Sequence, residues 1–96
     1  MSKGYVPYMI LYVPMGTETT ITHTCGDDET EIKVYFERPD DEYSFKYLEL
    51  KLFNLEIIKH HGFTDDEIIE LLEFSKNNYD LIMEYSKVGG VENALG

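Results

Sequence analysis

The feature that most restricts the fold of this chain is a long amphipathic helix written near its end. Thr64-Asp65-Asp66-Glu67 is a capping box: the threonine hydroxyl can accept from the N–H three residues on, and Glu67 can reach back to Thr64. Acids in that first turn also suit the positive end of the helix dipole. At about 100° per residue, Asp66, Glu70, Glu73, Lys76, Asn77, Asp80, Glu84 and Lys87 fall within one arc of about 120°. Ile68, Leu71, Leu72, Phe74, Tyr79, Leu81, Ile82, Met83 and Tyr85 fill the opposite side. Asn77-Asn78 could mark a turn and make a two-helix hairpin. Because the phase is not reset there, the spacing predicts one helix from about 65 to 87, closed by Gly89-Gly90. The apolar arc, about 200° wide, exceeds what one sheet face needs, so the N-terminal strand folds over it, a second subunit does, or its tyrosines tolerate partial exposure.

Everything before that helix reads as strand and turn. Tyr5 to Val13 is apolar and β-prone, ends at Pro14-Met15-Gly16, and belongs at a sheet edge because Pro7 has no N–H to give. Thr17 to Cys25 is rich in β-branched residues and runs into a turn at Gly26-Asp27-Asp28. Glu31 to Glu37 alternates, with Ile32, Val34 and Phe36 on one side and Glu31, Lys33, Tyr35 and Glu37 on the other. Arg38-Pro39-Asp40-Asp41-Glu42 is expected to break that strand. From Tyr43 to Phe53 two alternations overlap, Phe45 and Tyr47 in one parity and Leu48, Leu50 and Leu52 in the other. A slip of this kind predicts a bulge near Tyr47. Leu55 to His60 reads as a fifth strand, paired through a hairpin at Phe53-Asn54.

The expected fold is therefore α+β: a single domain over 1–96 with a four- to five-stranded, mainly antiparallel β-meander at about 5–60. One long C-terminal helix packs on one face, and a flexible tail follows over 89–96. The expected core is Ile10, Leu11, Ile32, Val34, Phe36, Leu48, Leu50, Leu52, Ile68, Leu71, Leu72, Ile82 and Tyr85.

Charge sets the functional classes. The formal net charge is −11, and all of it sits in two segments. Residues 27–42 hold eight carboxylates against Lys33 and Arg38, and residues 64–88 hold seven against Lys76 and Lys87. Such a chain is ill suited to tracking phosphates, so nucleic acid is not an expected partner. No run approaches the ~20 apolar residues of a membrane span, and the first residues do not form a secretory leader. A single cysteine, Cys25, suits a reducing cytoplasm.

Catalytic constellations are sparse. Cys25 lies two residues from His23, but Asp27, Asp28 and Glu29 beside it oppose an activated thiolate. No Gly-x-Ser-x-Gly elbow, calcium loop or phosphate loop is present. His23 and Cys25 share a strand face, and His60-His61 lies on the last strand or just after it. A metal-binding protein or metal-dependent hydrolase using His23 and Cys25 with His60 or His61 is thus one alternative. No cofactor is implied. The leading expectation is an acidic, noncatalytic protein-binding or regulatory module for a basic protein surface. The carboxylates expected to meet that surface are Glu70, Glu73, Asp80 and Glu84 on the helix, with Asp27, Asp28, Asp40 and Asp41 before it. A structural homodimer through the wide apolar helix face is the other alternative.

The run Ile68-Ile69-Glu70-Leu71-Leu72-Glu73-Phe74-Ser75-Lys76-Asn77-Asn78-Tyr79-Asp80-Leu81-Ile82-Met83-Glu84-Tyr85 resembles the helix of a small bacterial β-meander-plus-helix family of unknown function. Phe74 and Tyr85 stand where that family prefers tryptophan, and Gly89-Gly90 matches its tail. The family's Pro-Pro-His-Phe-His strand has no counterpart in this chain. The resemblance covers 49–90 and implies a binding role in a small operon, in some members of toxin–antitoxin type.

Overall fold

The computed structural model describes residues 4–12, 18–41 and 44–90. The expected turn at Pro14-Met15-Gly16, Glu42, and the tail beyond Gly90 lie outside the described residues. The chain is α+β: the described residues form five antiparallel strands in the order β1-β2-β3-β4-β5, followed by two helices. The strands are β1 (Val6–Tyr12), β2 (Glu18–His23), β3 (Lys33–Asp41), β4 (Ser44–Lys51) and β5 (Glu56–His61). The helices are α1 (Asp65–Asn77) and α2 (Tyr79–Val88). As Pro7 requires, β1 is an edge strand.

One sheet face and the helices form a continuous core. Ile21, Val34, Phe36, Leu48 and Leu50 from the strands meet Ile68, Leu71, Ile82 and Met83 from the helices, with Ile32, Leu52 and Phe63 closing the ends. Leu11, Leu72 and Tyr85 are only partly buried at its margin. Ile10 is a correction to the expected core: it is 48% exposed. The cause is a register shift between Pro7 and Met9, which inserts Tyr8 as an extra residue. Tyr8 is buried instead, and Ile10, opposite Thr20, turns to the other face.

The single long helix is also corrected. Asn78 leaves helical geometry (φ −105°, ψ 9°) and divides it into α1 and α2. Asn78 Nδ2 donates to the Phe74 carbonyl at 2.9 Å, and its Oδ1 accepts from the Tyr8 hydroxyl at 2.7 Å. Backbone bonds still cross the break, Asn78 N–H to Phe74 O at 2.9 Å and Ile82 N–H to Asn78 O at 3.0 Å. This explains why the apolar phase survives and why no hairpin forms. Tyr8 also packs edge-on to Phe74 and tilted to Tyr85, at ring separations of 6.3 and 6.0 Å. The first strand thus covers part of the wide apolar arc. The capping box is present as expected, and α2 ends at Gly89, whose left-handed φ of 90° suits a residue without a side chain.

No bulge occurs at Tyr47. The β3–β4 register runs unbroken from Lys33↔Lys51 to Pro39↔Phe45. The two alternations in β4 are its two faces, both carrying large side chains. Nor does β3 break at Arg38: it continues to Asp41, because pairing with β2 ends at Glu37 and Pro39 has only β4 beside it. At its other end the strand starts at Lys33, since Asp28 caps a short 3-10 turn over Glu29–Glu31.

Arg38 fastens the helix layer to the sheet. It is 8% exposed; its Nε donates to Thr19 Oγ1 at 2.8 Å and its Nη1 to Glu67 Oε2 at 2.7 Å. The guanidinium also lies 5.2 Å from the centre of the Phe63 ring. Glu67 Oε1 meanwhile accepts from the Thr64 N–H at 2.8 Å, with Lys46 Nζ 3.6 Å away. The Thr64 backbone bond, helped by Lys46 and Arg38, holds the Glu67 carboxyl below its usual pKa. One acid of the helix segment is therefore a fastener rather than a free surface charge.

Candidate functional site

The sheet has a second face, and no described helix covers it. Strand parity puts Thr20 and Thr22 of β2, Tyr35 and Glu37 of β3, Tyr47 and Glu49 of β4, and Lys59 and His61 of β5 on that side. Tyr5, just before β1, folds across it. Its hydroxyl donates to Glu49 on β4, so its ring spans the threonines of β2. Threonine is short enough to leave a hollow under such a ring. The resulting cleft has a volume of about 410 Å³ and is lined by Tyr5, Thr20, Thr22, Tyr35, Glu37, Glu49 and Lys59.

A row of aromatic rings crosses this face. Tyr5 and Tyr35 lie 5.9 Å apart at 58°, and Tyr35 stacks on Tyr47 at 6.2 Å and 23°. Tyr47 stacks on His61 at 5.7 Å and 26°. Lys59 Nζ sits 5.7 Å from the Tyr47 ring centre, so the row already accommodates one cation against a π face. Carboxylates anchor the hydroxyls: Tyr35 OH donates to Glu37 Oε1 at 3.0 Å, as Tyr5 does to Glu49. Burial, then the bond to Glu37 and the nearby negative charge, pushes the Tyr35 hydroxyl up to about 12. Burial and Glu49 push that of Tyr5 up as well. Both stay protonated at neutral pH and donate to their carboxylates. The face thus presents π surfaces and carboxylates together, a combination that receives cations.

The expected acidic residues are at the surface. Glu70, Glu73, Asp80 and Glu84 are all exposed on the outward side of α1 and α2, as are Asp27, Asp28, Asp40 and Asp41. Two of them also hold local structure. Asp28 accepts from the Thr30 N–H at 3.0 Å and its hydroxyl at 2.6 Å, and Asp41 accepts from Ser44 Oγ at 3.1 Å.

The expected metal ligands do not converge. His23 pairs with Val34 on the helix-covered side, whereas His61 pairs with Tyr47 on the open side. His60 pairs with Leu48 on the covered side, but β5 is separated from β2 by two strands. At ~4.8 Å per strand that is about 14 Å, too far for one ion to bridge with Cys25. Among the described residues no group of three or more His, Cys, Asp or Glu is placed to hold a metal ion.

His23 has another role. It is fully buried, and its Nδ1 lies 2.8 Å from the Thr24 carbonyl, which only accepts, so Nδ1 carries the proton. Ser86 on α2 donates to the same carbonyl at 3.0 Å and stands 3.2 Å from Nδ1. His23 Nε2 is buried with no hydrogen-bond partner. Burial lowers the His23 pKa against the opposing effect of the Thr24 bond. This is a structural histidine that joins β2 to α2.

Reading the sequence for function missed Tyr5, Tyr35, Tyr47 and Glu49. Their signal was the second alternation in β4 together with Tyr35 and Glu37 on the polar side of β3. Comparison with protein-family models, curated proteins and solved structures finds no match to this chain.

Proposed function

We propose that the protein is a small, noncatalytic binding module of the cytoplasm that engages a basic protein. In this reading the open sheet face grips cationic side chains, and the exposed acids on the helices and around residues 27–41 steer the partner toward it. The single observation that carries the reading is the Tyr5–Tyr35–Tyr47 row with Glu37 and Glu49 at its edges. A guanidinium or ammonium entering the cleft would meet π faces and carboxylates at once. Cation–π contacts contribute about 0.5–1 kcal/mol at exposed sites and more when water is excluded. The acids of Glu70, Glu73, Asp80 and Glu84 act at longer range, where they raise association rates rather than fix geometry.

The chain has no tryptophan, and Tyr5, Tyr35 and Tyr47 among its eight tyrosines lie on the face, so tyrosine emission carries a signal from it. An arginine-bearing peptide of about ten residues is expected to change that emission and to bind more weakly as salt rises through the range where the Debye length falls below ~10 Å. A glutamate-bearing counterpart is expected to leave it unchanged. Equal binding of the two peptides, or binding indifferent to ionic strength, would refute the proposal.

A further inference from the structure

The two edges of the sheet are unlike. Each edge strand has one inserted residue, Tyr8 in β1 and Ile58 in β5, but β1 also carries Pro7, which has no N–H to offer another strand. β5 has no proline, all six of its residues are exposed, and β4 is its only paired neighbour among the described strands. Ile57 and Ile58 are 36% and 42% exposed there, next to Phe53 at 53%. An apolar edge strand with free backbone groups is a template for another strand. Lysine on an edge normally guards against that, but Lys59 is turned over the Tyr47 ring.

We infer that β5 is a self-association edge, and that its occupant is β5 of a second copy of this chain. Two properties of the strand support this. The first is its facing pattern. Glu56, Lys59 and His61 lie opposite Lys51, Glu49 and Tyr47 on the open side, and Ile57 and His60 lie opposite Leu50 and Leu48 on the covered side. The shift between Glu49 and Leu50 leaves Ile58 as the extra residue. Antiparallel pairing of two such strands, Glu56 opposite His61 of the second copy, sets open side against open side and covered side against covered side. Ile57 then meets His60 of the second copy, and Ile58 meets its Lys59.

The second property is charge. In a chain of net charge −11, β5 has one carboxylate, one lysine and two histidines, so two copies can approach there without acid meeting acid. The pairing places Glu56 across from His61 twice by symmetry, so each carboxylate faces an imidazole rather than another acid. The product is a ten-stranded sheet with both tyrosine rows on one side, so a basic partner would be gripped by two faces at once.

Light scattering and sedimentation equilibrium of the full chain over roughly 5 to 500 µM are expected to show a mass rising from one chain to two. Glu56→Lys removes the carboxylate that faces His61, and His61→Glu sets carboxylate against carboxylate, twice each by symmetry, so each should weaken the dimer on the order of tenfold. The double variant, which sets lysine against glutamate, should recover it to within about threefold. Because His61 stacks on Tyr47, circular dichroism accompanies each variant; Ile58→Asp, an exposed position outside that stack, should give a folded monomer. A single-chain mass at every concentration overturns the inference. So does a dimer indifferent to Glu56→Lys and Ile58→Asp, or a double variant no tighter than the single ones.

Discussion

The two faces of the same five strands have been given opposite chemistry. On the covered face Val34, Phe36, Leu48 and Leu50 are completely buried, and Arg38, Ser75 and Ser86, which enter it, are committed to hydrogen-bond partners. On the open face the neighbouring residues Tyr35, Glu37, Tyr47 and Glu49 remain partly exposed, with hydroxyls and rings oriented but water within reach. If the open face binds a partner, as proposed, stability and recognition are separable. A residue and its next neighbour in β3 would then serve different ends, so adjacent substitutions should part company when stability and binding are measured side by side.

The largest effect should come from Phe36→Ala. Its ring is fully buried and meets Phe74 edge-on at 6.0 Å. Truncating a buried phenylalanine costs about 3–5 kcal/mol, a large share of what a domain of this size holds. Urea unfolding should show a markedly lower midpoint, or no folded baseline at all. Retention of the parent midpoint would mean that the covered face is not the core.

Arg38→Ala follows. It leaves Thr19 Oγ1 without its donor and Glu67 without its closest cation, and it removes the guanidinium from the Phe63 ring. A loss of roughly 2–3 kcal/mol is expected, because a part-buried carboxylate is left partly unpaired. The same midpoint measurement checks it, and Glu67→Gln should overlap with it rather than add.

Acid should act on the covered face in two windows. Burial lowers the folded-state pKa of His23, so above about 6.5, the ordinary value, neither the folded nor the unfolded state takes up a proton and stability is intact. As pH falls from there, the unfolded chain protonates first and stability declines until the folded-state pKa is passed. Glu67 is lowered in the same direction from a carboxyl's ordinary value, so its loss begins only at lower pH, near 4.5 and below. Unfolding midpoints measured between pH 7.5 and 5.5 should therefore fall in the parent and stay flat in His23→Leu. A parallel decline in both would assign the first window to another group.

Asn78→Ala probes the junction between the helices. It removes the 2.7 Å bond from Tyr8 and the 2.9 Å bond to Phe74, while alanine favours helix by about half a kcal/mol. A net loss of about 1 kcal/mol in denaturant stability is expected. A gain would show that the break is imposed by Asn78 alone and that Tyr8 contributes nothing to holding it.

What the sequence made legible follows the range of the forces involved. The capping box at Thr64, the left-handed cap at Gly89, the alternation of Ile32, Val34 and Phe36, and the hairpin through Phe53-Asn54 are local, and each appears where its residues put it. The break at Asn78 was legible only as the second of two readings, because the hydroxyl that occupies its side chain comes from Tyr8, seventy positions earlier. The same distance problem hid the site. Tyr5 approaches Glu49 only because three short-connected strands bring them together, and the overlapping alternations in β4 look like a slip unless both faces are known to be used. His23 and His61 share a parity in number, yet inserted residues in the meander put them on opposite faces.

The smallest effect on stability should be the most informative about recognition. Tyr35→Leu keeps a large apolar side chain on the open face but removes the stacked ring between Tyr5 and Tyr47 and the bond to Glu37. Because Tyr35 is half-buried and its hydroxyl bond lies near solvent, the unfolding midpoint should move by no more than the equivalent of about 0.5–1 kcal/mol. Binding of the arginine-bearing peptide should weaken severalfold, since the π face in the middle of the row is gone and Glu37 is left without its ordering partner. Tyr35→Phe separates these two contributions: it preserves the ring, so most of the affinity should return, and what stays missing measures the orientation of Glu37. If Tyr35→Leu instead costs as much stability as Phe36→Ala, the two faces are not independent, and the open face is a second half of the core awaiting its cover.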